Sequence, residues 1–374
     1  MLMVLGCVEP YAPPEVSGDP DIIVIDGFLN AGDNSCRVKV TRAVPISSQV
    51  GFENVQDTPS NPITVTLEEE QGGSFSLSRI GTGTYEALAL PIDPQRKYRL
   101  VVTVPPAQIY VSDYTEVKIT PGIEKVFFDY DDDGVRILVN SESSNGDTKY
   151  YRWTYTETFE HTSNYSSSFI IRNGEVVTRA AEELIYRCFR TDESKNILIA
   201  NSTELSSDVI QNFHIQSIPR TSQKLQIRYS INVRQYSLTE DAYTFWLNLY
   251  KTTENVGGLF DPMPGEVRGN FRSTSDPGRT VIGYFSSATM QEKRLFITPE
   301  DLPDGYSGFR HPQCPIDTIL LAQIPSFDAS KLLVSAVYST GGIPQIIGYS
   351  TSEPHCVDCR RLHDGVTEKP PFWP

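Results

Sequence analysis

The sequence has few of the features that mark nucleic-acid-binding or membrane-spanning proteins. It carries 32 Lys and Arg against 47 Asp and Glu, a formal net charge of −15, whereas binding to phosphates requires clustered basic side chains. It also has no apolar run near the roughly 18 residues expected of a membrane-spanning helix. We therefore expect no nucleic-acid partner, no membrane span and no polybasic contact with lipid headgroups.

Recognisable catalytic motifs are missing as well. The 5 histidines form no His-Glu-x-x-His pair, and neither a nucleophile elbow nor a phosphate-binding glycine loop occurs. Glu157 and Glu160 lie on one predicted strand, where alternation places them on opposite faces, so they are poor acid–base partners. We predict that the chain is not an enzyme and needs no cofactor. A hydrolase whose carboxylates meet only in the fold stays open as an alternative.

What the sequence does contain is typical of a mainly β protein. It has 17 Phe and 19 Tyr, which favour pleated surfaces, and 26 Pro and 25 Gly, which separate short strands. Short, alternating segments such as residues 62–69 recur at even spacing. We predict an N-terminal β-sandwich, transthyretin-like or Ig-like, followed by a larger β-rich domain with at least one helix.

Four segments are expected along the chain, with the main boundary at Pro121-Gly122. Residues 1–20 would form a lipoprotein signal and a proline-rich tether, 21–120 the β-sandwich, 121–360 the larger domain, and 361–374 a C-terminal tail. The larger domain is predicted to include strands at residues 223–235, as a central strand, and at 280–286.

One helix is expected in the larger domain. Ser237 and Glu240 have the spacing of a capping box, and apolar residues follow at intervals of three and four. Gly257-Gly258 is predicted to end the helix.

The N-terminus indicates a lipid anchor. Val4-Leu5-Gly6-Cys7 resembles the lipobox of bacterial lipoproteins, in which the cysteine is lipidated. A complete signal peptide needs roughly 7–15 apolar residues, so we expect the natural start to lie further upstream. The prolines that follow predict an extended spacer. A lipid on Cys7 would anchor the protein to a membrane without spanning it.

The remaining cysteines predict disulfides, the usual state in exported proteins. Besides Cys7 there are five, an odd number, and we expect Cys36 to be the free thiol because it lies in the other domain. Two disulfides are predicted among the other four: Cys188, Cys314, Cys356 and Cys359. Cys356 could pair with Cys359, or each could take a distant partner, and the spacing does not choose.

Three further possibilities concern ligands. A zinc site would use Cys356, Cys359 and His363, with His355 or His311 as the fourth ligand. Asp129, Asp131 and Asp133 match the first half of a calcium loop, but an acidic hairpin turn is the preferred interpretation. Tyr151, Trp153 and Tyr155 could offer rings to a sugar or peptide, although such rings more often form core.

Several segments together resemble the domain-of-unknown-function 4249 family of Bacteroidota outer-membrane lipoproteins. They are Ile25-Asp26-Gly27-Phe28-Leu29, residues 151–159, residues 229–238, Ala242-Tyr243-x-Phe245-Trp246, Leu259-Phe260-Asp261-Pro262, Gly269-Asn270, residues 283–286, Cys356-Val357-Asp358-Cys359-Arg360 and Lys369-Pro370-Pro371-Phe372-Trp373. The resemblance implies an outer-membrane lipoprotein encoded beside a TonB-dependent receptor. The family has no established catalytic residues to transfer.

The expected function follows from the anchor and the missing catalytic motifs. We expect a lipid-anchored outer-membrane protein at the cell surface that is an accessory subunit of a TonB-dependent receptor, a β-barrel. The alternatives are a surface glycan- or peptide-binding lipoprotein and the hydrolase mentioned above.

Overall fold

The computed structural model describes residues 22–43, 62–143, 148–203, 208–253, 267–327 and 330–374, and the backbone of Phe52–Asn54. These residues form a mainly β structure, as predicted. They divide into two compact units. The first comprises described residues of Met1–Val117 and Met263–Ala288, and the second those of Lys118–Pro262 and Thr289–Pro374. None of the helices in the described parts has the length and apolar character needed to cross a membrane.

The chain up to Thr162 contributes strands β1 to β13. They are β1 Ile23–Asn30, β2 Ser35–Ala43, β3 Phe52–Asn54, β4 Thr64–Glu69, β5 Ser74–Ser76, β6 Ser78–Gly81, β7 Thr84–Ala87, β8 Lys97–Val104, β9 Gln108–Ser112, β10 Thr115–Glu116, β11 Ile123–Tyr130, β12 Gly134–Glu142 and β13 Tyr150–Thr162.

The chain after Thr162 contributes β14 to β25 and the helices. The strands are β14 Phe169–Arg172, β15 Glu175–Thr178, β16 Arg187–Glu193, β17 Leu198–Asn201, β18 Val209–Pro219, β19 Arg228–Leu238, β20 Phe271–Ser273, β21 Val281–Ala288, β22 Met290–Ile297, β23 Asp317–Leu320, β24 Leu332–Tyr338 and β25 Ile346–Ser352. The α-helices are α1 Glu240–Thr253, α2 Pro354–Val357 and α3 Arg360–His363, and 3-10 turns lie at Ala181–Glu183, Gln223–Leu225, Pro299–Asp301 and Leu321–Ser326.

The first unit is the predicted β-sandwich. One sheet has the order β21-β1-β2-β7-β6 with β3 beside β2, and the other has the order β20-β9-β8-β4-β5 with β10 beside β8. Alternation along the strands supplies the core, since Val65 and Leu67 point inward from β4 as Val38 and Val40 do from β2. Tyr98 and Leu100 of β8 belong to the same cluster.

The first unit also contains a strand that the sequence analysis assigned to the larger domain. Residues 280–286 correspond to β21, which pairs in parallel with β1 so that Phe285 lies opposite Gly27. The pairing depends on Gly283, which has a φ of +135° and whose missing Cβ would lie 1.8 Å from the carbonyl oxygen of Ile25. Asn270 also bonds both backbone groups of Phe285, at 2.8 Å each. The pairing of β21 with β1 joins segments far apart in the sequence and leaves no local pattern. The sequence analysis therefore assigned this strand to the wrong domain.

The second unit is built on a sheet with the order β16-β13-β19-β22, with β17 beside β13. A sheet with the order β11-β12-β18, a hairpin of β14 and β15, and a sheet with the order β23-β25-β24 complete its strands. The longest strand, β13, pairs along its length with β19, with Tyr155 opposite Val233. The predicted central strand is therefore present, although it runs over Arg228–Leu238 and its expected first residues form a 3-10 turn at Gln223–Leu225.

The expected helix is present as α1, but its cap was misassigned. The side chain of Thr239 accepts a hydrogen bond from the backbone N–H of Ala242 at 3.2 Å, so Thr239 caps the helix. Ser237 still belongs to β19, where its hydroxyl donates to the carbonyl of Ile119. The capping box predicted from Ser237 is therefore wrong, because the strand continues to Leu238. Gly257-Gly258 lies outside the described residues.

Candidate functional site

The aromatic strand β13 is a core element and does not present its rings to a ligand. Tyr151 and Trp153 are fully buried and Tyr155 is nearly so. The indole N–H of Trp153 donates to Oε1 of Gln235 at 2.9 Å, and its ring stacks on Phe213 with centroids 4.4 Å apart. Burial raises the pKa of both Tyr151 and Tyr155 to about 12. These rings are therefore core residues and do not form the ligand contact considered from the sequence. Alternation along the strand directs all three into the core of the second unit.

The same face of β13 carries a buried carboxylate further along. Glu157 is 4% exposed, and its carboxylate accepts hydrogen bonds from Nζ of Lys224 at 2.6 Å and from the hydroxyl of Tyr229 at 2.8 Å. Burial and the neighbouring Glu157 charge raise the pKa of Tyr229 well above its usual value, so the phenol stays a donor. The Glu157 carboxylate thus has two structural partners, as burial of a charge requires.

Glu160 lies on the opposite face of β13 and has different partners. Its carboxylate pairs with Arg187 at 2.7 Å and accepts a hydrogen bond from the indole N–H of Trp373 at 3.2 Å. The two glutamates therefore face away from each other, as alternation along the strand requires.

Two histidines pack together at the end of β13. The rings of His161 and His363 lie 5.3 Å apart between centroids. Nε2 of His161 is 3.1 Å from the carbonyl oxygen of Cys359, and Nε2 of His363 is 2.8 Å from Oε1 of Gln223. Burial lowers the pKa of both histidines, which favours neutral rings. A Cβ added at Gly365 would lie 2.7 Å from His161, so the chain after α3 packs directly on this pair.

Disulfides fix this C-terminal segment. Cys188 pairs with Cys359 and Cys314 pairs with Cys356, so each cysteine of the Cys-x-x-Cys motif takes a distant partner. Both predicted disulfides are present. Cys36 is the free cysteine, as expected, and burial raises the pKa of its thiol to about 12.

The zinc site considered as an alternative to the disulfides does not form. Within the described residues one group, Cys314, His355 and Cys356, brings three potential ligand atoms within 4.8 Å of one another. Both sulfurs of that group are in a disulfide and cannot serve as thiolate ligands. Cys359 is bonded to Cys188, and His363 and His311 are near Gln223 and Gln226. Oxidation therefore removes the donors that zinc would need.

Asp129 is the last residue but one of β11, and Asp131, Asp132 and Asp133 form the hairpin turn between β11 and β12. Oδ1 of Asp131 accepts from the backbone N–H groups of Asp133 and Gly134, which lowers the pKa of that carboxyl. Arg136 pairs with Asp129 at 2.8 Å and with Asp131 at 2.7 Å. The acidic turn is the correct interpretation, because Arg136 already occupies two of the three carboxylates proposed as calcium ligands.

A cleft opens where the C-terminal segment meets the edge of β16. Phe189 and Val366 exchange two backbone hydrogen bonds, of 2.8 and 2.9 Å. The cleft beside them has a volume of about 600 Å³. It is lined by serines, acidic residues, Arg187 and apolar side chains: Ser166, Ser167, Ser168, Ala181, Glu182, Leu184, Tyr186, Arg187, Phe189, Thr367 and Glu368. No sequence motif marked it, because its walls come from three separate stretches of the chain.

These features define a class of protein: a mainly β chain of two units. In the second unit, two disulfides attach the C-terminal segment to the rest of the unit. The chain belongs to the family described as Domain of unknown function (DUF4249), whose sequence profile matches residues 8–294. The suspected family is thereby confirmed.

Other comparisons add little. No curated protein matches this sequence. Among solved structures 45 chains match, including the crystal structure of a DUF3823 family protein from Parabacteroides merdae. That match has 10% sequence identity and a TM-score of 0.14, and covers 59% of this chain and 92% of that chain. At that TM-score the likeness carries no structural argument. Cys7 lies outside the described residues, so its lipidation stays a prediction.

Proposed function

We propose that the chain is a non-enzymatic outer-membrane lipoprotein, anchored through Cys7 at the cell surface, that acts as an accessory subunit of a TonB-dependent receptor. One observation carries the proposal: the two buried glutamates of β13 and four of the cysteines already have structural partners. Glu157 is held by Lys224 and Tyr229, Glu160 is held by Arg187 and Trp373, and four cysteines are in disulfides. Family membership and the lipobox at Cys7 support the anchored, extracytoplasmic setting.

Extraction from membranes tests this proposal directly. The natural gene, with its upstream start, would be expressed in its own host, and outer membranes would be solubilised in mild detergent. We expect the protein to co-purify in a fixed ratio with a β-barrel receptor. The Cys7→Ser variant should keep both disulfides but incorporate no labelled fatty acid. Isolation of the wild-type protein as a lone monomer under these conditions would contradict the proposal.

The cleft beside β16 favours a second candidate, a surface protein that binds a glycan or a peptide. Its lining combines apolar walls at Leu184 and Tyr186 with serine hydroxyls, the mixture that small-ligand sites commonly show. Glycan and peptide arrays would test it, with Tyr186→Ala as the cleft variant and Tyr130→Ala, an exposed tyrosine elsewhere in the same unit, as its control. Equal array binding by both variants would exclude the cleft.

A further inference from the structure

The small sheet formed by β23, β25 and β24 ends in a cluster of exposed apolar side chains, which we call the apolar tip. Its members, with their exposed fractions, are Leu320 (51%), Leu321 (46%), Tyr338 (53%), Ile343 (84%), Ile346 (37%) and Ile347 (42%). Single exposed apolar residues are common on protein surfaces, but contiguous ones mark an interaction site.

Strand register gathers these residues at one end of the sheet. Leu320, the last residue of β23, pairs with Gly348, and Tyr338, the last residue of β24, pairs with Ile346. β25 is antiparallel to both neighbours, so its first residues meet the last residues of β23 and β24. The turn from β24 to β25 is closed by a hydrogen bond from the N–H of Ser339 to the carbonyl of Gln345. Ile343 lies within that turn and is the most exposed residue of the tip.

The tip carries no charge, in a protein of net charge −15. Residues 318–327 and 332–352 contain no Asp, Glu, Lys or Arg, although 21% of the chain is charged. Asp317 and Lys331 form an ion pair, and they lie at the other end of the sheet, where Asp317 pairs with Thr351. An uncharged, apolar surface on a strongly acidic protein is suited to contact with an uncharged, apolar environment.

We propose that the apolar tip inserts into the boundary between the headgroups and the acyl chains of a lipid bilayer. A large aliphatic side chain in the turn, with Tyr338 behind it at the end of β24, is the arrangement expected at that boundary, where tyrosine is enriched. A protein interface usually surrounds its apolar centre with a polar rim, and the two charge-free stretches supply no charged group for one. The tip therefore fits the hydrocarbon of a membrane better than it fits another protein.

The inference rests on the proposed function only in placing the protein at a membrane. With Cys7 anchored, the tip would act at high local concentration, so a weak contact would suffice to orient the protein. Because the tip carries no cation, its binding should not depend on anionic lipid or on salt, unlike that of a polybasic surface.

The test uses the full chain carrying Cys7→Ser, so that no lipid anchor contributes. We expect this protein to co-sediment with zwitterionic phosphatidylcholine vesicles, equally at low and high salt. Adding Leu320→Asp and Ile343→Asp should lower the partition coefficient at least tenfold. The matched control, Leu88→Asp, changes a side chain that is 67% exposed in the first unit and should bind as the parent does. All of these positions are exposed, and an unchanged thermal unfolding transition would confirm folding.

A second measurement locates the insertion. An environment-sensitive fluorophore attached through Ile343→Cys should shift to shorter wavelength on adding vesicles, while the buried Cys36 stays unlabelled. No vesicle binding by the Cys7→Ser protein, or equal binding by the tip variant, would overturn the proposal. So would a tip variant that changes only the oligomeric state or only receptor co-purification, since either would identify a protein occupant. Vesicle binding without any receptor partner would instead contradict the accessory function alone.

Discussion

The two units are stabilised by different kinds of interaction. The first is a sandwich in which none of the described buried side chains is charged, and its one described cysteine is unpaired. The second buries Glu157, Glu160 and His161 and holds two disulfides. Apolar burial stabilises the first unit directly. Desolvated polar groups contribute little net stability even when well paired, so the second unit depends more heavily on covalent links.

The largest expected effect comes from removing the longer link. Cys188 and Cys359 are 171 residues apart, and the loop-entropy relation gives about 5 kcal/mol for a loop of that size. The double variant Cys188→Ser/Cys359→Ser should therefore destabilise the second unit severely and leave the first unit's transition in place. Differential scanning calorimetry would resolve the two transitions. Cys36→Ala is the control, and loss of the first transition in the disulfide variant would refute the difference between the units.

The next effect concerns the returning strand of the first unit. Gly283 has a positive φ, and a Cβ at this position would collide with the backbone of Ile25. Gly283→Ala should therefore lower the free energy of unfolding of the first unit by about 3 kcal/mol. Gly278→Ala changes the same segment where the nearest atom, Oδ1 of Asp276, is 3.6 Å away, and should change little. Urea unfolding would compare them. Equal stability of the two variants would show that β21 is dispensable.

A smaller effect is expected from the buried carboxylate. Glu157→Gln leaves Nζ of Lys224 without its anionic partner, and should destabilise the second unit by about 2 kcal/mol. Asp129→Asn breaks a surface pair in the same unit and should have almost no effect. Chemical denaturation would measure both. A neutral Glu157→Gln would mean that the polar interior contributes nothing to stability.

The smallest effect is a dependence on pH. Burial lowers the pKa of His161 and His363 in the folded protein, whereas an unfolded histidine titrates near about 6.5. Below that pH the unfolded chain binds protons that the folded chain does not, so the free energy of unfolding of the second unit falls as the pH falls. All histidines lie in the second unit.

Denaturant unfolding at pH 7 and pH 5.5 would check this prediction. His161→Gln/His363→Gln should flatten the pH dependence of the second transition, and His214→Gln, an exposed histidine of the same unit, should not. A first transition that shifted as much as the second would assign the effect to carboxylates instead.

Local patterns predicted the first unit well and the second less well. Alternation at residues 62–69 and in β2 correctly gave the inward faces, because a period of two is visible within one strand. The odd number of cysteines, together with the place of Cys36 in the other domain, correctly identified Cys36 as the free thiol. The disulfide pairing, the cleft and the parallel pairing of β21 with β1 all depend on distant segments meeting, for which neighbouring residues carry no signal. The rings of Tyr151 and Trp153 show the same limit, because a strand rich in aromatic residues has the same sequence pattern whether its rings are buried or exposed.

The parallel pairing of β1 with β21 has a consequence for synthesis and export. The N-terminus is synthesised first, so the sheet that contains β1 cannot be completed until residue 288 has been made. By then most of the second unit has already been synthesised. The second unit must wait for Cys359, almost at the end of the chain, before its longer disulfide can form. Neither unit can therefore finish folding long before the other, and a cut after residue 117 or residue 262 separates no intact domain. Separating the units would require cutting the chain at three places and rejoining the two segments of each unit.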